Sequence, residues 1–484
     1  MKKLYSLIVV ISISLNCSAQ TLNWTSEITV ANGSTYGSER PRIAVGANNV
    51  PVVVWGGGTG SEPLYASRWN GTAFGTPVTV TPNGVDPAVM SWQGHEIASR
   101  GNIVYAVFKT QPEMMGRIYI VKSTDGGQTW SDTVAVDNMV APYDRFPSVA
   151  VTSAGNPAVM MMTFDTSWMA AEYKVTNSTD GGQTFPMPVA ASINSGSDVC
   201  DCCPGYIVTD GSNQACAYRR NASNIRDMWT SVSTNNGATF PTAIDCDVTN
   251  WMLMNCPSSG PSPFLNGDSL TTVFMSGASG TDRIYLSTRS ISTGQPGYSV
   301  MFTSIAPSDD QNYPMMAGNG DTLVVVWQQS NGSQIDTYYS WSLTGAAGLL
   351  TNATILNSTT AGNQLRPHVA YSNGMFHFTW IDQSSGNVKY RSATILPNSI
   401  ETFSAAHMLN AFPNPSCENI TIDLTAFGSD EVTVTVTDAS CRVVERFVSR
   451  GNNSALISKQ TSGVYMIEAR SESAYQRSRI VFTR

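Results

Sequence analysis

The chain has 484 residues, a formal net charge of −8 and only 13% charged residues, and its longest basic run beyond the N-terminus is Arg219-Arg220. That balance excludes a nucleic-acid partner, which needs a basic patch or stripe to meet phosphates. With 39 Gly, 24 Pro and apolar residues alternating with Thr and Ser, the composition suits many short strands and turns, and a repeat fold can absorb most of the length in one body.

At the N-terminus, Met1-Lys-Lys, an apolar run from Leu4 to Leu15 and Cys17-Ser-Ala-Gln20 predict a secretory signal peptide over residues 1–19, cleaved after Ala19. The run is too short for a membrane span. Lipidation through Cys17 is the alternative, but Ser14-Leu-Asn-Cys17 lacks a Leu three places before the Cys and a small residue just before it. No later stretch is apolar enough to span, so no transmembrane segment is expected in the mature chain.

From Leu22 onward one phrase recurs: a strand begun near a Pro, a Gly or Asn turn, then a second and more hydrophobic strand. It opens as Arg40-Pro-Arg-Ile-Ala followed by Val50-Pro-Val-Val-Val-Trp55, and closes as Arg366-Pro-His-Val-Ala followed by Met375-Phe-His-Phe-Thr-Trp380. Seven anchors (Pro41, His95, Pro147, Pro204, Pro263, Pro314 and Pro367) lie 51 to 59 residues apart, enough for a four-stranded meander plus loops. The seventh unit stops after its third strand, Val388 to Ser392, whereas Leu22 to Val30 is an orphan strand ahead of the first anchor. Lending that strand to the last unit closes a ring and leaves no open edge.

Ser123-Thr-Asp125-Gly-Gly-Gln-Thr-Trp130 returns as Ser178-Thr-Asp180-Gly-Gly-Gln-Thr-Phe185 and, more weakly, as Ser233-Thr-Asn235-Asn-Gly-Ala-Thr-Phe240, each start 55 residues after the last. The Asp or Asn side chain accepts backbone N–H bonds inside its own turn, the glycines supply φ > 0, and the aromatic opens the next strand. This pattern resembles the Asp-box of the sialidase-like, BNR-repeat propellers, where the box is a structural turn on the face opposite the ligand site. The fold expected is therefore all-β: a β-propeller over residues 20–400, with seven blades from the anchor count and six as the alternative that the sialidases imply.

Export makes disulfides admissible. Six of the eight cysteines left after the signal peptide, Cys200, Cys202, Cys203, Cys216, Cys246 and Cys256, fall within 57 positions. Two or three disulfides stapling one edge of the fold are expected; zinc held by Cys-x-Cys-Cys with Cys216 is the alternative, against which the spacing speaks. No metal and no cofactor are expected.

Beyond Glu401 the texture changes to short alternating strands, from Ala411-Phe-Pro-Asn-Pro415 through Ile420-Thr-Ile-Asp-Leu424, Val432-Thr-Val-Thr-Val436 and Gly463-Val-Tyr-Met-Ile-Glu-Ala469 to Arg479-Ile-Val-Phe-Thr-Arg484. They fit a small C-terminal β-sandwich. Pro-Asn-Pro, the turn at Asp438-Ala-Ser, Ser462-Gly-Val-Tyr and a basic last strand closely resemble the type A sorting domain of the type IX secretion system. The resemblance implies an export address over residues 401–484, removed so that the mature protein ends near residue 400. It also implies the type IX machinery as a partner, passage through the periplasm, a secreted or outer-membrane-surface location and a Bacteroidota-type envelope.

In a propeller the loops entering the first strand of each blade and joining its second to its third share the ligand face. Those loops carry Arg40, Asp86, Glu96, Tyr143, Asp144, Arg145, Asp201 and Arg366 on one side and Lys109, Glu113, Asp165 and Arg219 on the other. Singly each reads as a solvated loop residue or an inter-blade salt bridge; together they make a polar funnel for an anionic or polyhydroxylated ligand, with Arg forks for a carboxylate. Arg226-Asp227 is expected to pair locally. The sialidase mechanism needs three arginines, an Asp acid/base and a Tyr activated by a Glu. Arg40, Arg145, Arg219, Arg366 and Tyr143 offer the types, but the first-strand phrase of that family is replaced by Glu39-Arg-Pro-Arg-Ile43, so no catalytic set carries over. The function expected is a secreted propeller that binds a glycan or surface-protein ligand at its channel mouth. The alternatives are an exo-acting glycoside hydrolase or lyase on acidic sugars, and a purely structural surface protein.

Overall fold

The computed structural model describes residues 22–58, 62–137, 143–303, 308–349, 351, 354–396, 408–438, 442–471 and 474–484. The predicted signal peptide, the boundary at residue 400, Cys17 and Cys441 lie outside these residues. The chain divides into two compact units, of which one is Gln20–Leu396 and the other contains the C-terminal strands.

The first unit holds seven antiparallel sheets, each built from consecutive strands. Their first strands are Glu39–Val45, Glu96–Arg100, Tyr143–Val151, Tyr206–Asp210, Ser262–Asn266, Gln311–Asn319 and Gln364–Ser372. Six sheets have four strands; the seventh has three of its own and borrows Leu22–Trp24 and Ile28–Ala31 from the N-terminus. The orphan N-terminal strand thus pairs with Asn387–Ile395, as the sequence led us to expect. Trp24 stacks on Phe378 at 5.6 Å between ring centroids and meets Tyr339 edge-on at 5.0 Å. The Glu27 carboxylate accepts from Thr359 N and Oγ1, at 3.1 and 2.8 Å, and from Ser358 N, which ties this strand also to the sixth sheet's last loop.

The second strand of each sheet shows why the apolar runs are continuous. Pro51–Gly56, Ile103–Lys109 and Pro157–Phe164 are buried almost throughout, because their sheets are covered on both faces by neighbours. In the first sheet Val52 and Val54 pack against Ile97, Val104 and Phe108 of the second, whereas Val53 and Trp55 pack against Val388 and Tyr390 of the seventh. Equivalent clusters join each sheet to the next, through Met161 and Val107, Met160 and Tyr218, Ala215 and Leu270, Met275 and Trp327, and Val326 and Phe378. The packing order is cyclic.

The three repeated turns are built alike. Asp125 Oδ1 accepts from Gln128 N and Thr129 N at 2.9 and 3.0 Å, its Oδ2 accepts from Thr129 Oγ1 at 2.6 Å, and Ser123 Oγ both donates to Asp125 and accepts from Gly127 N. Asp180 repeats each contact. In the third turn Asn235 Oδ1 still accepts from Thr239 N, at 3.1 Å, while its Nδ2 donates to Thr239 Oγ1, reversing one bond without changing the turn. Gly126, Gly127, Gly181 and Gly182 all have φ > 0, and a Cβ on Gly127 would meet Val52 Cγ2 at 2.6 Å. Phe185 and Phe240 are buried behind their turns, and Trp130 partly so.

The second unit has one three-stranded sheet (Ala411–Phe412, Ile420–Asp423, Ser454–Ile457) and one four-stranded sheet (Val443–Arg450, Glu431–Asp438, Gly463–Arg470, Tyr475–Phe482). They share a core that includes Ile422, Leu424, Val434, Ile467 and Phe482.

The turns make the fold acid-sensitive in a defined window. Burial raises the Asp125 carboxyl, but the Thr129, Ser123 and Gln128 hydrogen bonds outweigh it and bring it to about 2 from an ordinary 3.8. Asp180 is lowered too, chiefly by Thr184. Both are depressed on folding, so their stabilisation is complete above the unfolded value and is lost as pH falls from about 4 through the folded values. The double variant Asp125→Asn/Asp180→Asn, which copies the third turn, is expected to lose stability less steeply than the parent between pH 4 and pH 2. Parallel denaturation midpoints across that range would refute the coupling.

Candidate functional site

Four of the seven first strands, those of the first, fourth, sixth and seventh sheets, line one pocket, beside a defect that repeats among the sheets. In the first, third, sixth and seventh sheets the residue before the anchor proline has left-handed backbone: Arg40 (φ 50°), Phe146 (φ 50°), Tyr313 (φ 52°) and Arg366 (φ 54°). At each the register with the second strand slips, between Glu39 and Arg42, Arg145 and Ser148, Asn312 and Met315, and Leu365 and His368. Proline has no N–H for the ladder, and the bulge it tolerates re-aims the residue before it. Such backbone costs about 1–3 kcal/mol at a non-glycine residue. Three of the four side chains, Arg40, Tyr313 and Arg366, line one narrow pocket with Arg42, Trp92, Tyr206 and Ser259.

Charge in this pocket is unbalanced. Arg42 Nε donates to both Glu96 oxygens at 3.0 Å, and Arg40 Nη2 pairs with Glu96 Oε1 while reaching Tyr206 Oη at 3.2 Å. Arg366 lies 3.4 Å above the Tyr313 ring, and its Nη1 has no hydrogen-bond partner among the described residues, nor does Arg40 Nε. Two guanidiniums therefore share one carboxylate, and the third, that of Arg366, has the Tyr313 ring as its close partner. Burial lowers the Arg366 guanidinium from its ordinary value, Tyr313 offsets this, and Arg40 and Arg42 add repulsion. The neighbouring histidines add no charge at neutral pH. His95 donates from Nε2 to Val54 O at 3.1 Å and is pushed to about 3 by burial and then by Arg42. His368 Nδ1 accepts from Ile43 N at 3.2 Å, and burial with Arg42 and Arg40 holds it well below the usual imidazole range. Gly94 makes room for this cluster: a Cβ there would meet Arg40 Cδ at 3.0 Å.

Of the residues singled out from sequence, Arg40, Glu96 and Arg366 come together here. Asp144 and Arg145 stand beside the pocket but are engaged. Asp144 is buried in a pair with Lys109 Nζ at 3.0 Å, and burial raises it to about 7 against the pull of Lys109. Arg145 pairs with Glu113 at 2.6 Å, donates to Asp201 O at 3.1 Å and packs over Phe146 and Trp92. Tyr143 stacks on Trp168 at 4.3 Å. Asp165 caps its own turn through Ser167 N and Met169 N, and Asp86 is exposed with its carbonyl accepting from Gln111 N.

Arg219 requires a correction. It is wholly buried, donates to the carbonyls of Ser259, Arg226 and Met275, and presents nothing to a ligand. Arg226 and Asp227 do not pair: Arg226 reaches Leu253 O and Cys200 Sγ, whereas Asp227 lies 4.0 Å from Arg220. Among the described cysteines only Cys202–Cys256 is bridged. Cys216, on Asn213–Arg219, and Cys246, just past Thr242–Asp245, are buried thiols in apolar clusters, so they join neither a disulfide nor a zinc site with the others. Sequence reasoning missed Arg42, Trp92, Tyr206 and Tyr313. The signal for Tyr313 was present, since it holds the same place before an anchor proline as Arg40 and Arg366.

Residues 410–483 match the family model described as the secretion system C-terminal sorting domain. The tail is a type IX sorting domain. The sorting domain directs secretion to the cell surface or the extracellular space. No helix among the described residues is long and apolar enough to cross a membrane. No curated protein matches the chain. Solved structures similar to it include a protein of unknown function from Dyadobacter fermentans (10% identity, 78% of this chain and 99% of that one, TM-score 0.46). An ulvan lyase, from a new family of polysaccharide lyases, matches at 10% identity over 76% and 95% of the two chains with a TM-score of 0.47. A Trypanosoma rangeli sialidase matches at 10% over 94% and 87%, with a TM-score of 0.42.

The enclosed Arg219 yields a stability prediction. Arg219→Met removes the donors of three buried carbonyls, each worth about 1–3 kcal/mol when left unsatisfied. A fall in thermal midpoint of several degrees is expected. An unchanged midpoint with ligand binding lost would contradict the assignment.

Proposed function

We propose that the exported chain is a sialidase-like, seven-bladed β-propeller over residues 20–400 with a sandwich tail over 401–484. It binds a glycan or surface-protein ligand bearing a carboxylate or sulfate at the mouth of its central channel. The cyclic packing of seven sheets supports the blade count, and the borrowed N-terminal strands support the closure. The observation that carries the binding reading is a cluster of three arginines in which Arg40 and Arg42 share the single carboxylate of Glu96 and Arg366 packs on Tyr313, with donors of Arg40 and Arg366 left over. An oxyanion suits them by charge and by the planar fork of each guanidinium. Trp92 and Tyr313 add aromatic surface of the kind that packs on sugar rings.

Binding is favoured over turnover because glycoside hydrolysis calls for a carboxyl pair, or a carboxyl with a Tyr, flanking the bond. Among the described lining residues none is Asp or Glu, and Glu96 behind them is held by two arginines.

A charge-assisted contact in such a site is worth about 1.5–3 kcal/mol, so Arg366→Ala is expected to weaken binding of a uronic-acid-bearing or sulfated glycan roughly tenfold to a hundredfold. Its thermal midpoint should stay near that of the parent, because Arg366 is in no salt bridge among the described residues. An array of acidic and neutral glycans probed with both proteins checks this. Cleavage of an array sugar by the parent, abolished in the variant, would replace the binding reading by a hydrolase or lyase; equal binding by both would remove the cluster from the site.

A further inference from the structure

Beside the pocket, four sulfurs converge. Cys200, Cys202, Cys203 and Cys256 have Sγ atoms all within 4.8 Å of one another, graded from core to surface: Cys200 and Cys203 are buried, Cys202 is half-buried and Cys256 is exposed. Cys202 and Cys256 are bridged across 54 positions of sequence. Cys200 Sγ lies 3.5 Å from Cys202 Sγ and 3.2 Å from Cys203 Sγ, and Cys200 and Cys203 are the two ends of a Cys-x-x-Cys. Arg226 Nη1 sits 3.1 Å from Cys200 Sγ. That guanidinium favours the thiolate, which is the nucleophile in disulfide exchange. The Cys200 thiol is correspondingly lowered to about 6, by the Cys203 contact first and by Arg226 and Arg219 after it, against burial.

We propose that these four cysteines form a thiol–disulfide relay that carries oxidation from the surface bridge Cys202–Cys256 to a second, buried disulfide, Cys200–Cys203. In the first step the Cys200 thiolate attacks Cys202 Sγ; the Cys200–Cys202 bond forms, the Cys202–Cys256 bond breaks and Cys256 leaves as thiolate. In the second, Cys203, having given up its proton, attacks Cys200 Sγ; the Cys200–Cys203 bond forms and Cys202 leaves as thiolate. Cys202 and Cys256 are then reoxidised by an external disulfide, which takes up the two electrons and two protons and becomes two thiols. The order follows from access: a buried pair cannot meet an external oxidant, whereas Cys256 can. Cys202 is bonded to the exposed Cys256 and lies 3.5 Å from the buried Cys200, so it links the surface to the buried pair.

The product would brace the pocket rim. Cys203 precedes Pro204, whose carbonyl lies so close to Gly260 that a Cβ there would approach it at 1.9 Å, and both residues line the pocket. Tyr173 Oη donates to Cys203 O at 2.9 Å, fixing the same turn. The inference is independent of what the pocket binds.

The test uses the full chain, reduced under native conditions, freed of reductant and exposed to glutathione disulfide. Acid-quenched samples are alkylated after denaturation and mapped by mass spectrometry. The relay predicts that the Cys202–Cys256 link appears first and Cys200–Cys203 later. It predicts further that Cys202→Ser leaves Cys200 and Cys203 as alkylatable thiols, while Cys256→Ser still oxidises them through a Cys202–glutathione mixed disulfide. If Cys202→Ser does not fold, the order of appearance in the parent decides. Cys200–Cys203 forming first, or at equal rate in Cys202→Ser, would overturn the proposal. So would a parent that keeps both thiols, including one in which the four sulfurs hold one equivalent of zinc.

Discussion

The grip of Arg40 and Arg42 on Glu96 is the interaction around which the candidate site is arranged. Glu96 opens the first strand of the second sheet and the arginines lie in that of the first, so the pair fastens adjacent sheets beside the pocket. Burying charge is unfavourable unless it is matched. Here one carboxylate matches two arginines, and Arg366 brings a third positive group whose main close partner is the face of Tyr313. That imbalance is what supports the proposed anionic ligand. The neutral state of His95 and His368, enforced by burial and by the same arginines, keeps the imbalance from growing worse.

The backbone that aims these side chains is itself unfavourable, with four non-glycine residues in the left-handed region. Such strain persists where surrounding structure over-determines it. The surroundings are the doubly covered second strands, whose alternate residues pack on different neighbouring sheets. Stability is therefore spread around the ring of sheet contacts, while the pocket concentrates bulges and unpaired donors at its centre.

Much of the fold was legible in the sequence because its signals are local. The X-Pro anchors, the continuous runs such as Val-Val-Val-Trp55 and the Asp125 and Asp180 turns each state their role within ten residues. The borrowed N-terminal strand was legible too, since a three-stranded last unit and an orphan first strand need each other. The site was legible only in part. Arg40 and Arg366 were found because each stands just before an anchor proline, where the first strand meets the pocket. Arg219 was misjudged: a position at a strand end places a side chain near a loop, and does not reveal that carbonyls of Ser259 and Met275 enclose it. The partnership of Cys202 with Cys256 rather than Cys216 depends on strand register, which spacing alone does not carry.

The central claim is that the arginine cluster is an anion site, and crystals soaked in selenate test it directly. An anomalous selenium peak within hydrogen-bonding distance of the Arg40 and Arg366 guanidiniums is predicted. Selenate bound only elsewhere on the protein, with water between those arginines, would contradict it.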